Sequence, residues 1–149
     1  DPHHESDDTV LQEKDAVTID MGCYYNGYCS DMTRTFLQHG NPEIEKIYDI
    51  LREANESAEK AIRAGMPLKD VDKVARDIIS EAGYGPYFTH RLGHGIGIEV
   101  HEPYDVSSSD EVTVKEGMCF SCEPGIYLRD VGGVRIEDLV MIASPRNGY

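Results

Sequence analysis

The chain has 149 residues, 40% of them hydrophobic. That is enough for one domain with a sizeable core, since chains near this size bury roughly 68–70% of their unfolded surface. Its formal net charge of −14, with no basic stripe to release counterions, excludes nucleic acid as a partner, and no apolar run approaches the roughly 18 residues of a membrane helix.

The first predicted element is a hairpin. TIDMGCYY and YCSDMTRTF are rich in β-branched and aromatic residues and flank Asn26-Gly27, the strongest short signal for a type I′ turn. A two-residue turn pairs Tyr25 with Tyr28, sets Gly22 opposite Asp31 and Thr33 opposite Asp20, and leaves Asp20 and Asp31 as diagonal neighbours on one face. Gly22, lacking a side chain, would leave a gap where an ion could fit. Asp20 ends the apolar run Ala16 to Ile19, where an uncompensated carboxylate is poorly solvated.

Two helices follow. Asn41 can cap the first, with Pro42 at its first position and Gly65 at its end. Ile44, Ile47, Tyr48, Leu51, Ala54, Ala58, Ala61 and Ile62 form its apolar stripe. The second starts after Pro67, turns Val71, Val74, Ala75, Ile78 and Ala82 inward, and has Gly83 just past its end. These stripes are core, and the helices are expected to cover the outer face of a curved sheet.

The next stretch concentrates chemistry. His90, His94 and His101 lie within twelve residues, interleaved with Gly93, Gly95 and Gly97, and glycines permit close backbone approach to a ligand or ion. Those glycines argue against a helix carrying His90 and His94 at i and i+4, and H-E-x-x-H is absent. Met118 to Glu123 and Val134 to Met141 then read as the strands of a second hairpin, each bearing one carboxylate, Glu123 and Glu137. Asp138 must point to the opposite face from Glu137 and is structural. Cys119 and Cys122 likewise face opposite sides of a strand. With Cys23 and Cys29 they are expected to be free thiols in a reducing cytoplasm.

Asp20, Asp31, His94, Glu123 and Glu137 thus converge from strand-like or Gly-rich settings. Four carboxylates cancel the charge of two dications, and one imidazole adds a softer ligand. Oxygen-rich ligation favours manganese, magnesium or cobalt over structural zinc. Two adjacent ions lower the pKa of a shared water and polarise a carbonyl, which is the chemistry of a two-metal hydrolase.

TIDMGCYYNGYCSDMTRTF, FTHRLGHGIGIEVHEP, and CEPGIY followed by GVRIEDLV together resemble the proline-specific branch of the pita-bread metallopeptidases, the Xaa-Pro dipeptidases (prolidases) and Xaa-Pro aminopeptidases. The resemblance runs over nearly the whole chain. It implies an α+β pita-bread (creatinase/aminopeptidase-like) fold, a curved antiparallel sheet covered by helices. Family catalytic domains begin well before this chain does, so residues 1–149 are expected to be the C-terminal larger part of a catalytic domain whose N-terminal elements, and the N-terminal domain, are absent.

The resemblance also implies function. Asp20 would bind one metal, Asp31 and Glu137 would bridge, and His94 and Glu123 would bind the other, the pair being manganese or cobalt. A metal-bridging hydroxide would cleave the bond before proline in a peptide with proline at its second position. Glu123 would shuttle the proton, while His90 and His101 would place the substrate and stabilise the tetrahedral intermediate. His3 aligns with a further substrate-side histidine and Arg135 with an arginine beside the bridging acid. A homodimer is expected of the intact protein.

Two alternatives stand beside this reading. One is a methionine-type aminopeptidase, which needs a deep apolar pocket. Here the metal-facing segments are dominated by Gly, His and Tyr, with Tyr127 four residues after Glu123, and the EPGIY and GVRIED segments favour the proline branch. The other is a non-enzymatic binding module of the same fold, which loss of any ligand would favour; all five positions are filled.

Overall fold

Alternating residues around Asn26-Gly27 fold residues 17–36 back on themselves. The computed structural model describes residues 2, 6–38 and 40–143. Strand β1 (Val17–Met21) pairs antiparallel with β4 (Met32–Phe36), and the short strands β2 (Tyr24–Tyr25) and β3 (Tyr28–Cys29) carry the turn. Asn26 and Gly27 have φ of 49° and 90°, as a type I′ turn requires. The expected register holds, with Tyr25 opposite Tyr28 and Asp20 opposite Thr33.

Gly22 has a different role from the one expected. A Cβ there would stand 2.2 Å from the Ser30 carbonyl oxygen, so the glycine admits the opposing backbone and leaves no gap for an ion.

Helix α1 (Pro42–Ala61) begins as expected, the Asn41 side chain accepting the Ile44 N–H. Ile44, Ile47, Leu51, Ala54 and Ala58 are buried along one stripe, and each large aliphatic side chain contributes about 1.5–3 kcal/mol by leaving water. The helix stops at Ala61, before Gly65. Gly65, at φ +91°, instead turns the chain toward the next helix and donates its N–H to the Val114 carbonyl.

Helix α2 (Leu68–Glu81) ends with Gly83 at φ +90°, as its position past the C-cap predicts. Its buried face, Leu68, Val71, Asp72, Ala75 and Ile79, is rotated somewhat from the expected one: Ile79 is fully buried, Val74 and Ile78 pack on the core only in part, and Ala82 is exposed.

The remaining strands are β5 (Gly93–Gly95), β6 (Glu102–Val106), β7 (Cys119–Cys122), β8 (Gly125–Leu128), β9 (Gly132–Arg135) and β10 (Asp138–Met141). An antiparallel sheet runs in the order β10-β7-β5-β6, and β8–β9 is a separate antiparallel hairpin. Val134 to Met141, expected as one strand, therefore breaks at Ile136 and Glu137. Glu137 fills the break by bridging to Thr33 of β4, its N–H donating to the Thr33 carbonyl at 3.0 Å. This bridge ties the first hairpin to the second.

Helix α1 packs on β7, β8 and β9, and α2 on β6. Asn55 of α1 donates to the Cys122 carbonyl at 3.0 Å, where β7 gives way to β8. Asp138 does face away from Glu137 and pairs with Arg34 at 2.5 Å. All four cysteines are free. No helix among the described residues is long and apolar enough to cross a membrane.

The approach of β5 to β7 is the tightest constraint on the sheet. A Cβ on Gly93 would stand 1.9 Å from the Ser121 carbonyl oxygen, a backbone atom that cannot swing aside. Gly93→Ala should therefore destabilise the protein by about 3 kcal/mol, the upper end of ordinary overpacking. Urea denaturation checks this, and an unchanged midpoint would contradict the close approach.

Candidate metal centre

His94 enters the site from β5, flanked by the two glycines that let that strand lie against its neighbours, and is 3% exposed. Its Nδ1 lies 3.0 Å from the Gly95 carbonyl, which accepts a hydrogen bond from the Nδ1–H and leaves Nε2 directed at two carboxylates. Nε2 is 3.6 Å from Asp31 Oδ2 and 3.3 Å from Glu123 Oε1. Carbonyl support of one imidazole nitrogen is how proteins orient the other toward a metal. Burial opposes a charge on His94, but the Asp31 carboxylate, the Gly95 carbonyl and Glu123 outweigh it and raise its pKa. A proton shared there marks the place where a cation would bind.

Ser121 ties His94 and Glu123 together. Its hydroxyl accepts from the His94 N–H and donates to Glu123 Oε1, both at 3.0 Å. Burial pushes the Glu123 carboxyl above its ordinary pKa.

Glu137 is the most constrained acid, 2% exposed in the break between β9 and β10. Its Oε2 accepts from the Thr33 hydroxyl at 2.7 Å, while Oε1 is buried without a hydrogen-bond partner among the described residues. Burial, then the charges of Glu123, Asp31 and Asp20, raise its pKa to about 7 against the Thr33 bond. Asp31, His94 and Glu137 each present a ligand atom, all within 4.8 Å of one another. A buried carboxylate with one oxygen orphaned, beside an imidazole nitrogen and a second carboxylate, fits a divalent cation, which would displace the proton.

Asp20 stands outside this tight group. Arg135 holds it, Nη2 to Oδ2 at 2.8 Å, and the same guanidinium donates to the Thr33 hydroxyl at 3.2 Å and the Tyr127 hydroxyl at 3.1 Å. Tyr127 in turn meets His90 Nε2 at 3.1 Å, while His90 Nδ1 lies 2.7 Å from the Arg91 carbonyl. The His101 ring lies 4.2 Å from that of His94, centroid to centroid.

All five expected ligands, together with His90, His101 and Arg135, line one cavity of about 290 Å³. His3 lies outside the described residues. Sequence reasoning missed the anchoring hydroxyls of Ser121 and Thr33. Both had a signal: Ser121 precedes Glu123 by two on a strand, hence on the same face, and Thr33 is the register partner of Asp20.

A sequence model of metallopeptidase family M24 matches residues 1–144. An uncharacterized peptidase of Staphylococcus haemolyticus is 52% identical over 150 residues, which cover 99% of this chain and 42% of that relative. Prolidase from Pyrococcus furiosus superposes with a TM-score of 0.93 at 48% identity, over 95% of this chain and 42% of its own. X-Pro aminopeptidase from Thermotoga maritima superposes at 0.91 with 41% identity, over 95% of this chain and 41% of its own. The fold is the pita-bread fold of these peptidases, present here as part of a domain. The chain spans 42% of the curated relative's length.

The crowding of acids makes metal-free stability depend on pH. Glu137 takes up a proton near pH 7 when folded and only near 4.5 when unfolded. Between these values the folded state binds more protons, so stability falls as pH rises, by ~3 kcal/mol from this group. The raised pKa values of Glu123 and His94 act in the same sense. Chelator-treated protein should resist urea better at about pH 5 than at about pH 8, and Glu137→Gln should flatten most of that slope. An equal slope in the variant would show that Glu137 is not the strained acid.

Proposed function

The chain belongs to metallopeptidase family M24, and from that premise we propose that the full-length protein is a metal-dependent exopeptidase cleaving the bond before proline, as an Xaa-Pro dipeptidase or aminopeptidase. One observation carries the metal requirement. Glu137, buried with one oxygen unpartnered among the described residues, brings a ligand atom within 4.8 Å of those of Asp31 and His94, in the cavity that also holds Glu123, His90 and His101. The proline preference is supported by likeness to a prolidase and an X-Pro aminopeptidase.

Asp20, Asp31, His94, Glu123 and Glu137 would hold two divalent ions, manganese or cobalt. Bound there, the ions supply Lewis acidity that lowers the pKa of water and polarises the scissile carbonyl. Arg135 keeps the Asp20 carboxylate in place, and Thr33 does the same for Glu137. Glu123, which accepts from the Ser121 hydroxyl and lines the same cavity, carries the proton from water to the departing imide nitrogen. His101 donates to the oxygen on which charge develops, and His90, set by Tyr127, places the substrate.

A proline imide offers no N–H, so the site needs no acceptor for one. Residues 1–149 belong to the catalytic domain, in a cytoplasmic enzyme acting as a homodimer.

A panel of peptides tests the specificity. The full-length protein loaded with manganese or cobalt should bind about two ions per chain and cleave Xaa-Pro peptides far faster than Met-Ala or Met-Gly peptides. Faster cleavage of the Met peptides would overturn the proline assignment, and retention of full activity after chelation would overturn the metal assignment.

A separate substitution tests His101. If it stabilises charge that develops only in the transition state, His101→Ala should lower kcat by about 10²-fold, the cost of one such donor, while metal content measured by atomic emission stays unchanged. Loss of metal instead would make His101 a support of the ligand shell.

A further inference from the structure

His90 lies on a segment that helix and strand do not hold. Residues 88–92 run irregularly between a 3₁₀ turn, Gly85–Tyr87, and β5, yet His90 must keep one orientation in the cavity. A single side chain from α2 takes up the exposed main chain. Arg76 donates from Nη1 to the Phe88 carbonyl at 3.1 Å and from Nη2 to the His90 carbonyl at 3.0 Å. Asp72, one helical turn earlier and fully buried, grips the other edge of the guanidinium, Nε to Oδ2 at 2.7 Å and Nη2 to Oδ1 at 2.8 Å.

The same planar group stacks on Phe88, its Cζ 4.1 Å from the ring centroid. Phe88 is 3% exposed and meets the His90 imidazole edge-on, with centroids 5.1 Å apart at 88°. Tyr127 closes the other side of that imidazole.

Stability does not account for this pair. A buried ion pair is weak evidence for stability, since apolar residues of similar volume often serve as well or better. What apolar residues could not do is offer donors in one plane to a carboxylate and two carbonyls while presenting a flat face to an aromatic ring. Only an arginine does all of that.

We propose that Asp72 and Arg76 form a positioning pair for His90. Arg76 fixes the carbonyls on both sides of Thr89 and the ring of Phe88, so that the His90 imidazole stays with Nδ1–H on the Arg91 carbonyl and Nε2 toward the Tyr127 hydroxyl. Arg76 touches no substrate in this scheme. It acts through His90, and the inference rests on the proposal that His90 places the substrate.

The test uses the full-length, metal-loaded protein and two readouts. Histidine side-chain ¹⁵N NMR reports the tautomer of each ring and needs no substrate. In the unaltered protein His90 should show one tautomer, protonated on Nδ1; in Arg76→Lys, which keeps the charge and loses the fork, its two nitrogen signals should move toward the averaged values of an unrestrained ring. The second readout is kcat/KM for Xaa-Pro peptides, which Arg76→Lys should lower by about tenfold or more at unchanged metal content. Made in a His90→Ala background, the same change should cost less than about twofold, because the residue it positions is gone.

Asp72→Asn should shift the signals in the same direction by a smaller amount, and it decides the matter if Arg76→Lys does not fold. Unmoved His90 signals, or an equal kinetic cost with and without His90, would overturn the positioning role. If the unaltered protein cleaves no Xaa-Pro peptide, the proposed activity fails while the NMR comparison still decides whether the pair sets His90.

Discussion

One almost wholly buried carboxylate, with two more partly buried beside it, governs this structure. Glu137, Asp31 and Glu123 surround one imidazole nitrogen, and Glu137 is almost wholly buried with one oxygen orphaned. An isolated acid in such a place would cost several kcal/mol if ionised, so it holds its proton instead. That explains a Glu137 pKa of about 7. The ionised acids therefore store strain that protons relieve at low pH and that bound cations would relieve at higher pH, and such binding would contribute folding energy.

The architecture keeps that strain in place by converging on Glu137 from several elements. The strand carrying it breaks, its N–H bridges to Thr33 across two hairpins, and the Thr33 hydroxyl holds one of its oxygens while accepting from Arg135. Arg135 then reaches Asp20 on β1, so two polar side chains, Thr33 and Arg135, link β1, β4 and the break that carries Glu137. Loss of the Thr33 hydroxyl would leave the buried Glu137 side chain without its hydrogen bond, which is costlier than never having made the bond. On the histidine side the same economy recurs, with Ser121 joining His94 to Glu123 and Tyr127 joining Arg135 to His90.

Much of this was legible in sequence where one local rule decides the outcome. Asn26-Gly27 determines the register of the first hairpin, and with it the neighbourhood of Asp20 and Asp31. Asn41 and Gly83 mark a helix start and a helix end by their capping chemistry. Convergence of the five candidate ligands in one cavity was legible too, through the resemblance of their flanking segments. What was hidden depends on contacts distant in the chain. GVRIEDLV reads as one continuous apolar strand, and the break at Ile136 and Glu137 follows from a bridge to Thr33, 104 residues away. The face of α2 could not be set by periodicity alone, since the buried Asp72 belongs to it only because Arg76 needs an anchor beneath the His90 segment.

Burial on α2 thus separates two kinds of constraint. Leu68, Val71, Ala75 and Ile79 are inside because they are apolar, and many replacements of similar volume would serve the core as well. Asp72 is inside for a geometric reason, since two carbonyls in an irregular segment and one aromatic ring must be held from the same direction. Lys73 and Asp77, also one turn apart on this helix, pair at 2.6 Å in solvent and so contribute little. The two pairs share spacing and charge, and they differ in what stands beyond the cation. Beyond Lys73 is water; beyond Arg76 is the backbone that carries a histidine into the cavity. A charged pair acquires a role in the site when its cation leaves donors over for main chain that no helix or strand will satisfy.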